Sequence, residues 1–208
     1  MVSLVIVANG KSVRFGENKL LSQIDKDILV CKTIKCFLNI AQITEIIVVC
    51  NNDLALKIVE KVKQKLIFVK GGATRTLSVA QGLEKVTNEK VLIHDGARPF
   101  VKKEMIEEII NCLNVHSVVI PTIKIVDCLK KIVDDNVKTL NRENYLLTQT
   151  PQGFDTHLIK EAYKNININW ADDCQAIEDF DDKPKIKFIN GDVDNVKITF
   201  MKDLKPSS

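Results

Sequence analysis

The sequence predicts an α/β fold: a mostly parallel sheet covered by helices on both faces, with a β-hairpin arm attached. Three observations predict it. Short β-branched runs alternate with segments of helical periodicity. The runs are apolar almost throughout, as strands buried on both faces must be. One segment breaks the alternation with two strands around a polar turn. At 208 residues, 45% hydrophobic and 27% charged, the chain suits a single domain spanning 1–208.

The elements follow in order. Residues 2–8 (VSLVIVA) read as the first strand, and 28–38 as a helix with apolar positions at helical spacing. Residues 45–50 are a second β-branched run, and in 53–65 Leu54, Ile58 and Val62 share one helix face. A strand at 66–69 is broken by Gly71-Gly72, and a helix at 75–86 follows. Next come a strand at 90–94, the loop from Asp95 to Pro99, a helix at 102–114 and a strand at 117–120 ended by Pro121. Residues 122–142 form the arm: 123–133, the turn Asp134-Asp135-Asn136, then 137–140. A lone two-stranded ribbon is marginal in water, so the arm needs a surface to pack on, and a second subunit is one candidate. The tail returns to α/β character, with helices at 155–164 and 172–180 and strands at 186–189 and 196–200.

Composition excludes several classes of function. Thirty basic and 27 acidic residues leave a formal charge of +3, too even for a nucleic-acid or anionic-membrane surface. Trp170 and the few other aromatics do not alternate with basic residues, so no base-stacking platform is expected. The cysteines Cys31, Cys36, Cys50, Cys112, Cys128 and Cys174 form no CxxC pair and no zinc-spaced cluster. Cys50 and Cys112 lie in or beside apolar runs and read as buried reduced thiols. No stretch resembles a signal peptide or approaches membrane-spanning length, so a cytoplasmic location is expected. His116 and His157 are lone histidines, and His94 reads as structural.

In parallel sheets ligands sit beyond the carboxyl ends of the strands, where three loops of this chain converge. The first, Asn9-Gly10-Lys11-Ser12-Val13-Arg14-Phe15-Gly16 with Lys19 beyond it, suits a phosphate. Glycine lets backbone N–H groups approach the anion, and Arg14 and Lys19 bring positive charge. It fits neither GxGxxG nor a Walker A loop, so a plain strand-to-helix turn stays open. The second, 71–78, is either a helix entry capped by Thr74 or a base-binding loop with the Ser78 hydroxyl added. The third holds Asp95 and Arg98 three residues apart. They form a structural ion pair, or else a carboxylate for ribose hydroxyls or magnesium, with Arg98 on phosphate or steadying Asp95.

Taken together, these segments resemble the 2-C-methyl-D-erythritol 4-phosphate cytidylyltransferase family, over nearly the whole chain. The matching pieces, in family order, begin with Ala8-Asn9-Gly10, Arg14 and Lys19. Gly71-Gly72, Arg75, Ser78-Val79 and Gly82-Leu83 follow, then His94-Asp95-Gly96-Ala97-Arg98-Pro99. Thr150-Pro151-Gln152, Asp172-Asp173 and Asn195-Val196-Lys197-Ile198-Thr199 complete the set. The resemblance implies a Rossmann-like nucleotidyltransferase sheet and a reaction in which CTP and a polyol phosphate give a CDP-polyol and pyrophosphate. It also implies magnesium as cofactor and a homodimer formed through the 122–142 arm.

By that resemblance Arg14, Lys19 and Lys197 surround the α-phosphate as catalytic charges. Ala8, Asn9, Gly10, Lys11, Ser12, Gly72, Ala73, Ser78, Asp95 and Arg98 bind the nucleotide. Asp95, Cys128, Arg142 and Thr150 face the acceptor, Arg142 in its own or the partner's site, and Asp95 meets the ribose or the hydrated magnesium. Asn9 and Ser12 stand where the family commonly has alanine and glycine, and Gly96 replaces a usual alanine, a change expected to be harmless. Ala171 replaces a common threonine. Cys128 replaces a threonine after Asp127, which leaves ribitol 5-phosphate open as a rival acceptor to methylerythritol phosphate. A non-catalytic nucleotide-binding module is the third reading.

Overall fold

The computed structural model describes residues 1–10, 18–134, 136–180 and 184–204. Of the expected site residues, Lys11, Ser12 and Arg14 lie outside them.

The chain begins with β1 (Val2–Val7), whose side chains alternate between the two faces of the sheet. A short ribbon follows, β2 (Gln23–Ile24) and β3 (Asp27–Ile28), turning through Asp25 at φ 55°. Then come α1 (Leu29–Lys35), β4 (Ile43–Cys50), α2 (Asn52–Lys61) and β5 (Ile67–Lys70). After these come α3 (Arg75–Leu83), β6 (Lys90–Asp95), α4 (Lys103–Cys112) and β7 (Val118–Lys124). The arm is β8 (Lys130–Val133) with β9 (Asn136–Thr139). The chain re-enters the sheet as β10 (Leu146–Thr148) and β11 (Gln152–Asp155). It finishes with α5 (Thr156–Ala162), α6 (Cys174–Glu178) and β12 (Lys187–Asn190).

The main sheet has eight strands in the order β5-β4-β1-β6-β11-β7-β10, with β12 also paired to β7. The pairs β1/β4, β1/β6, β4/β5 and β7/β12 are parallel. Leu4 and Ile6 point into one apolar layer with α1, α2 and α4; Val5 points into the other with α3, α5 and α6. Helices therefore cover both faces, as the alternating pattern requires.

Four expectations change. β10 and β11 are antiparallel strands that the sequence pattern did not mark. Their segments are short, and only the second carries a large fully buried residue, Phe154. The arm is shorter than residues 123–133 and 137–140, because residues up to Lys124 belong to β7 in the main sheet. Residues 196–200 form no strand: their backbone groups bond to loops instead, Ile198 N donating to Ala97 O at 2.9 Å. The last helix begins at Cys174, not 172: Asp172 Oδ1 accepts from Gln175 N at 3.2 Å and caps the helix from outside it, while Asp173 spends its carboxylate on Arg75. Among the described residues no helix is long and apolar enough to cross a membrane.

Gly82 tests how closely α3 sits on the sheet. A Cβ there would lie 2.6 Å from Val5 Cγ1 and 2.9 Å from Val49 Cγ2. In an exposed helix glycine-to-alanine gains about 1 kcal/mol. Here Gly82→Ala is expected instead to lower the unfolding free energy by about 1–3 kcal/mol in urea titrations, through overpacking.

Candidate active site

The carboxyl ends of β1 and β6 lie side by side, Val7 opposite Asp95, and Gly96 N donates to Val7 O at 2.9 Å. Ala8, Asn9 and Gly10 therefore leave the sheet beside the Asp95 loop. From the far side, Asn9 Nδ2 donates to Gly72 O at 2.9 Å, drawing the 71–78 loop against the same edge. A Cβ on Gly71 would lie 2.3 Å from Asn9 Cγ, so the glycine is what admits the asparagine.

Within that loop Thr74 Oγ1 accepts from Leu77 N at 3.1 Å, capping α3. Ser78 Oγ accepts from Gly72 N at 3.1 Å and donates to Thr74 O at 2.8 Å. The helix-entry reading therefore holds for this loop. Ser78, expected to reach a base with its hydroxyl, uses that hydroxyl to shape the loop. Gly72 and Ala73 stay at its surface, Ala73 exposed.

Asp95 is the centre of the site. Its Oδ1 accepts from Arg75 Nε at 2.9 Å, its Oδ2 from Lys197 Nζ at 2.7 Å, and Arg98 Nε stands 3.9 Å from Oδ2. Burial pushes this carboxyl up, but Arg75, Lys197 and Arg98 together hold it well below the usual carboxylate range. Lys197 arrives because the C-terminal segment is tied to the loop: Arg98 Nη1 donates to Asn195 O at 2.7 Å, and Asn195 Nδ2 to Thr150 O at 2.9 Å. Lys19 Nζ donates to Ile198 O at 2.8 Å, next to Lys197, so both lysines border one region.

His94 is structural, as expected. Its Nε2 faces Arg98 O at 3.1 Å, and a carbonyl only accepts, so Nε2 carries the proton. Nδ1 then accepts from the Thr150 hydroxyl at 3.0 Å. Thr150 is buried, and its Oγ1 also accepts from Asp95 N at 3.1 Å. Thr150, expected on the acceptor, bonds Asp95 N and His94 Nδ1 and so helps hold both in place. Cys128 and Arg142 are exposed at the root of the arm. Arg142 makes its contacts locally, to Val126 O and to Glu143 Oε1 at 3.7 Å.

Sequence reading gave Arg75, Asp173 and Tyr163 no role. Arg75 forks onto Asp173, Nη1 to Oδ1 at 3.0 Å and Nη2 to Oδ2 at 2.7 Å, while Tyr163 OH donates to Asp173 Oδ1 at 2.6 Å. Their only signal was Arg75 and Asp172-Asp173 inside the quoted motifs, 98 positions apart.

A sheet with glycine loops and a cation-ringed carboxylate at its strand ends is the arrangement of a nucleotidyltransferase-type α/β enzyme. The profile of the 2-C-methyl-D-erythritol 4-phosphate cytidylyltransferase family matches residues 2–207, and the chain belongs to that family. The enzyme of that name from Clostridium botulinum is 36% identical, over 98% of this chain and 96% of that one. The one from Thermotoga neapolitana is 33% identical, over 97% and 92%. A bifunctional IspD/IspF enzyme of Bartonella bacilliformis is 33% identical over 98% of this chain, which spans 55% of that protein. The crystal structure of 4-diphosphocytidyl-2C-methyl-D-erythritol synthase from Anaerococcus prevotii superposes with a TM-score of 0.86 at 33% identity, over 98% and 94%.

Burial lowers the His94 pKa from 6.5 to about 4, against the bond to Arg98 O that raises it. The unfolded chain takes up this proton below about pH 6.5 and the folded chain does not until about pH 4, so stability falls as pH drops through that window. The expected loss between pH 7 and pH 5 is about 2 kcal/mol. Urea unfolding at pH 7 and pH 5 measures it, and a flat profile would contradict a buried neutral histidine.

Proposed function

We propose that this enzyme transfers CMP from CTP to 2-C-methyl-D-erythritol 4-phosphate, releasing pyrophosphate. The observation that carries this reading is the Asp95 carboxylate held between Arg75 and Lys197 at the carboxyl end of the sheet, with Lys19 tied to the same segment.

A phosphate oxygen of the acceptor forms a bond to the α-phosphorus of CTP. The bond from that phosphorus to the bridging oxygen breaks, and pyrophosphate leaves with the electron pair. The acceptor is already ionised at neutral pH, so no general base is required, and catalysis consists of alignment and charge stabilisation. Lys197 and Lys19 face the charge that accumulates on the α-phosphate, with Arg14 expected to join them. Backbone N–H groups from Gly10 onward are expected to take the outer phosphates. Asp95 places Lys197 and remains a candidate for the ribose hydroxyls. Arg98 steadies this carboxylate and the Asn195 backbone.

Magnesium fits this site as a companion of the triphosphate and not as a protein-held ion. Both Asp95 oxygens already accept from cations, and no group of three His, Cys, Asp or Glu side chains suited to a metal occurs among the described residues. We therefore place the ion on the nucleotide phosphates, with Asp95 reaching it only through water.

We also propose a cytoplasmic homodimer. The six cysteines are unpaired, which suits a reducing compartment. No residue described in β8 and β9 is buried, and Ile132 and Val137 are 75% and 65% exposed, so the arm calls for a partner surface. A second copy would let Arg142 and Cys128 meet an acceptor in the neighbouring site. Light scattering after gel filtration is expected to give twice the chain mass; a monomer at micromolar concentration would reject this.

Pyrophosphate release from CTP and magnesium is expected with methylerythritol phosphate and not with ribitol 5-phosphate. The reverse preference would move the acceptor while keeping the chemistry, and silence with both would favour the binding-module reading. Lys19→Ala and Lys197→Ala should each lower kcat by about 100-fold or more with the fold intact. Near-normal turnover in both would refute charge stabilisation by these lysines.

A further inference from the structure

The chemistry above assigns no work to Asp173, yet its side chain is fully buried, at 0% exposure. It lies on the turn before α6 and accepts three hydrogen bonds: two from the Arg75 fork and one from Tyr163 OH. A bidentate fork fixes the plane of a guanidinium. That plane aims the third nitrogen, Nε, at Asp95 Oδ1, and leaves Asp95 Oδ2 to Lys197. The turn is itself pinned, because Asp172 Oδ2 accepts from Thr148 Oγ1 at 2.7 Å and Gln152 Nε2 at 2.8 Å.

The charges reinforce the geometry. One guanidinium stands between two carboxylates. With Asp173 neutralising Arg75, the charge of Asp95 remains available to hold Lys197. Without Asp173, Arg75 draws wholly on Asp95, and Lys197 must compete for a carboxylate already satisfied.

We propose that Asp173 is a positioning residue for the transfer reaction, acting through Arg75 and Asp95 to hold Lys197 at the reacting phosphate. This rests on the reading of Lys197 as a catalytic charge.

A double-mutant cycle tests it, with kcat and the KM for CTP measured for the wild type, Lys197→Ala, Asp173→Asn and the combined variant. Asp173→Asn is expected to lower kcat by about 10-fold or more and to shift the KM for CTP by less than about 3-fold. The combined variant should be no more than about 2-fold slower than Lys197→Ala alone, because the second change acts through a lysine already gone. Losses that multiply would overturn the proposal, as would a normal Asp173→Asn alongside an impaired Lys197→Ala. A normal Lys197→Ala would instead overturn the underlying chemistry. If Asp173→Asn fails to fold by circular dichroism, Tyr163→Phe decides, since it removes one bond to Asp173 and leaves the fork. A kcat loss of a few-fold that vanishes in the Lys197→Ala background supports the proposal, and an unchanged kcat overturns it.

Discussion

A carboxylate at the end of a central strand sets the terms for everything around it. Asp95 is buried, at 7% exposure, and an uncompensated charge there would cost several kcal/mol. Compensation comes from three separate stretches of chain: Arg75 at the start of α3, Arg98 one turn of loop onward, and Lys197 near the C-terminus. Closing the tertiary structure and assembling the site are therefore one event. The C-terminal segment has no strand to hold it in place. It is fixed by the loop it completes, through the bonds of Arg98 to Asn195 O and of Ile198 N to Ala97 O.

The same crowding gives short polar side chains near the site structural bonds of their own. Ser78 and Asn9 each bond a backbone group of Gly72, and Thr150 bonds the buried amide of Asp95. What remains facing outward is glycine backbone and the long cationic side chains. That suits a reaction whose catalysis is alignment and charge. The departures from the family pattern expected at Asn9 and Gly96 read in the same terms. Asn9 is accommodated by Gly71. Gly96 lies so close to β1 that a Cβ would stand 3.0 Å from Val7 O and 3.2 Å from Ala8 Cβ. In this chain glycine there relieves a tight contact, beyond the neutral exchange its small size suggests.

The arm follows a different rule. Its residues carry the alternation of a hairpin but no layer to pack against, so it is exposed on both faces. Its root, by contrast, is part of the main sheet: β7 and β10 run antiparallel there, and Asp172 ties β10 to the turn that carries Asp173. The base of the arm and the charge network of the site thus share one short segment.

Local sequence determined the parallel core strands, the helices with a single apolar face, the three loops at the strand ends and the structural role of His94, because periodicity and glycine placement are written in neighbouring residues. The family resemblance also pointed to Lys19, Asp95, Arg98 and Lys197, which folding brings to one region. Tertiary structure alone decided that β10 and β11 complete the sheet antiparallel and that residues 196–200 are held as a loop. It alone revealed that Arg75 links Asp95 to Asp173. The physical reason is range. A strand edge is chosen by the neighbour that offers it hydrogen bonds, and a buried ion pair by the charge that folding brings near. Neither partner is visible within the short windows where sequence pattern operates.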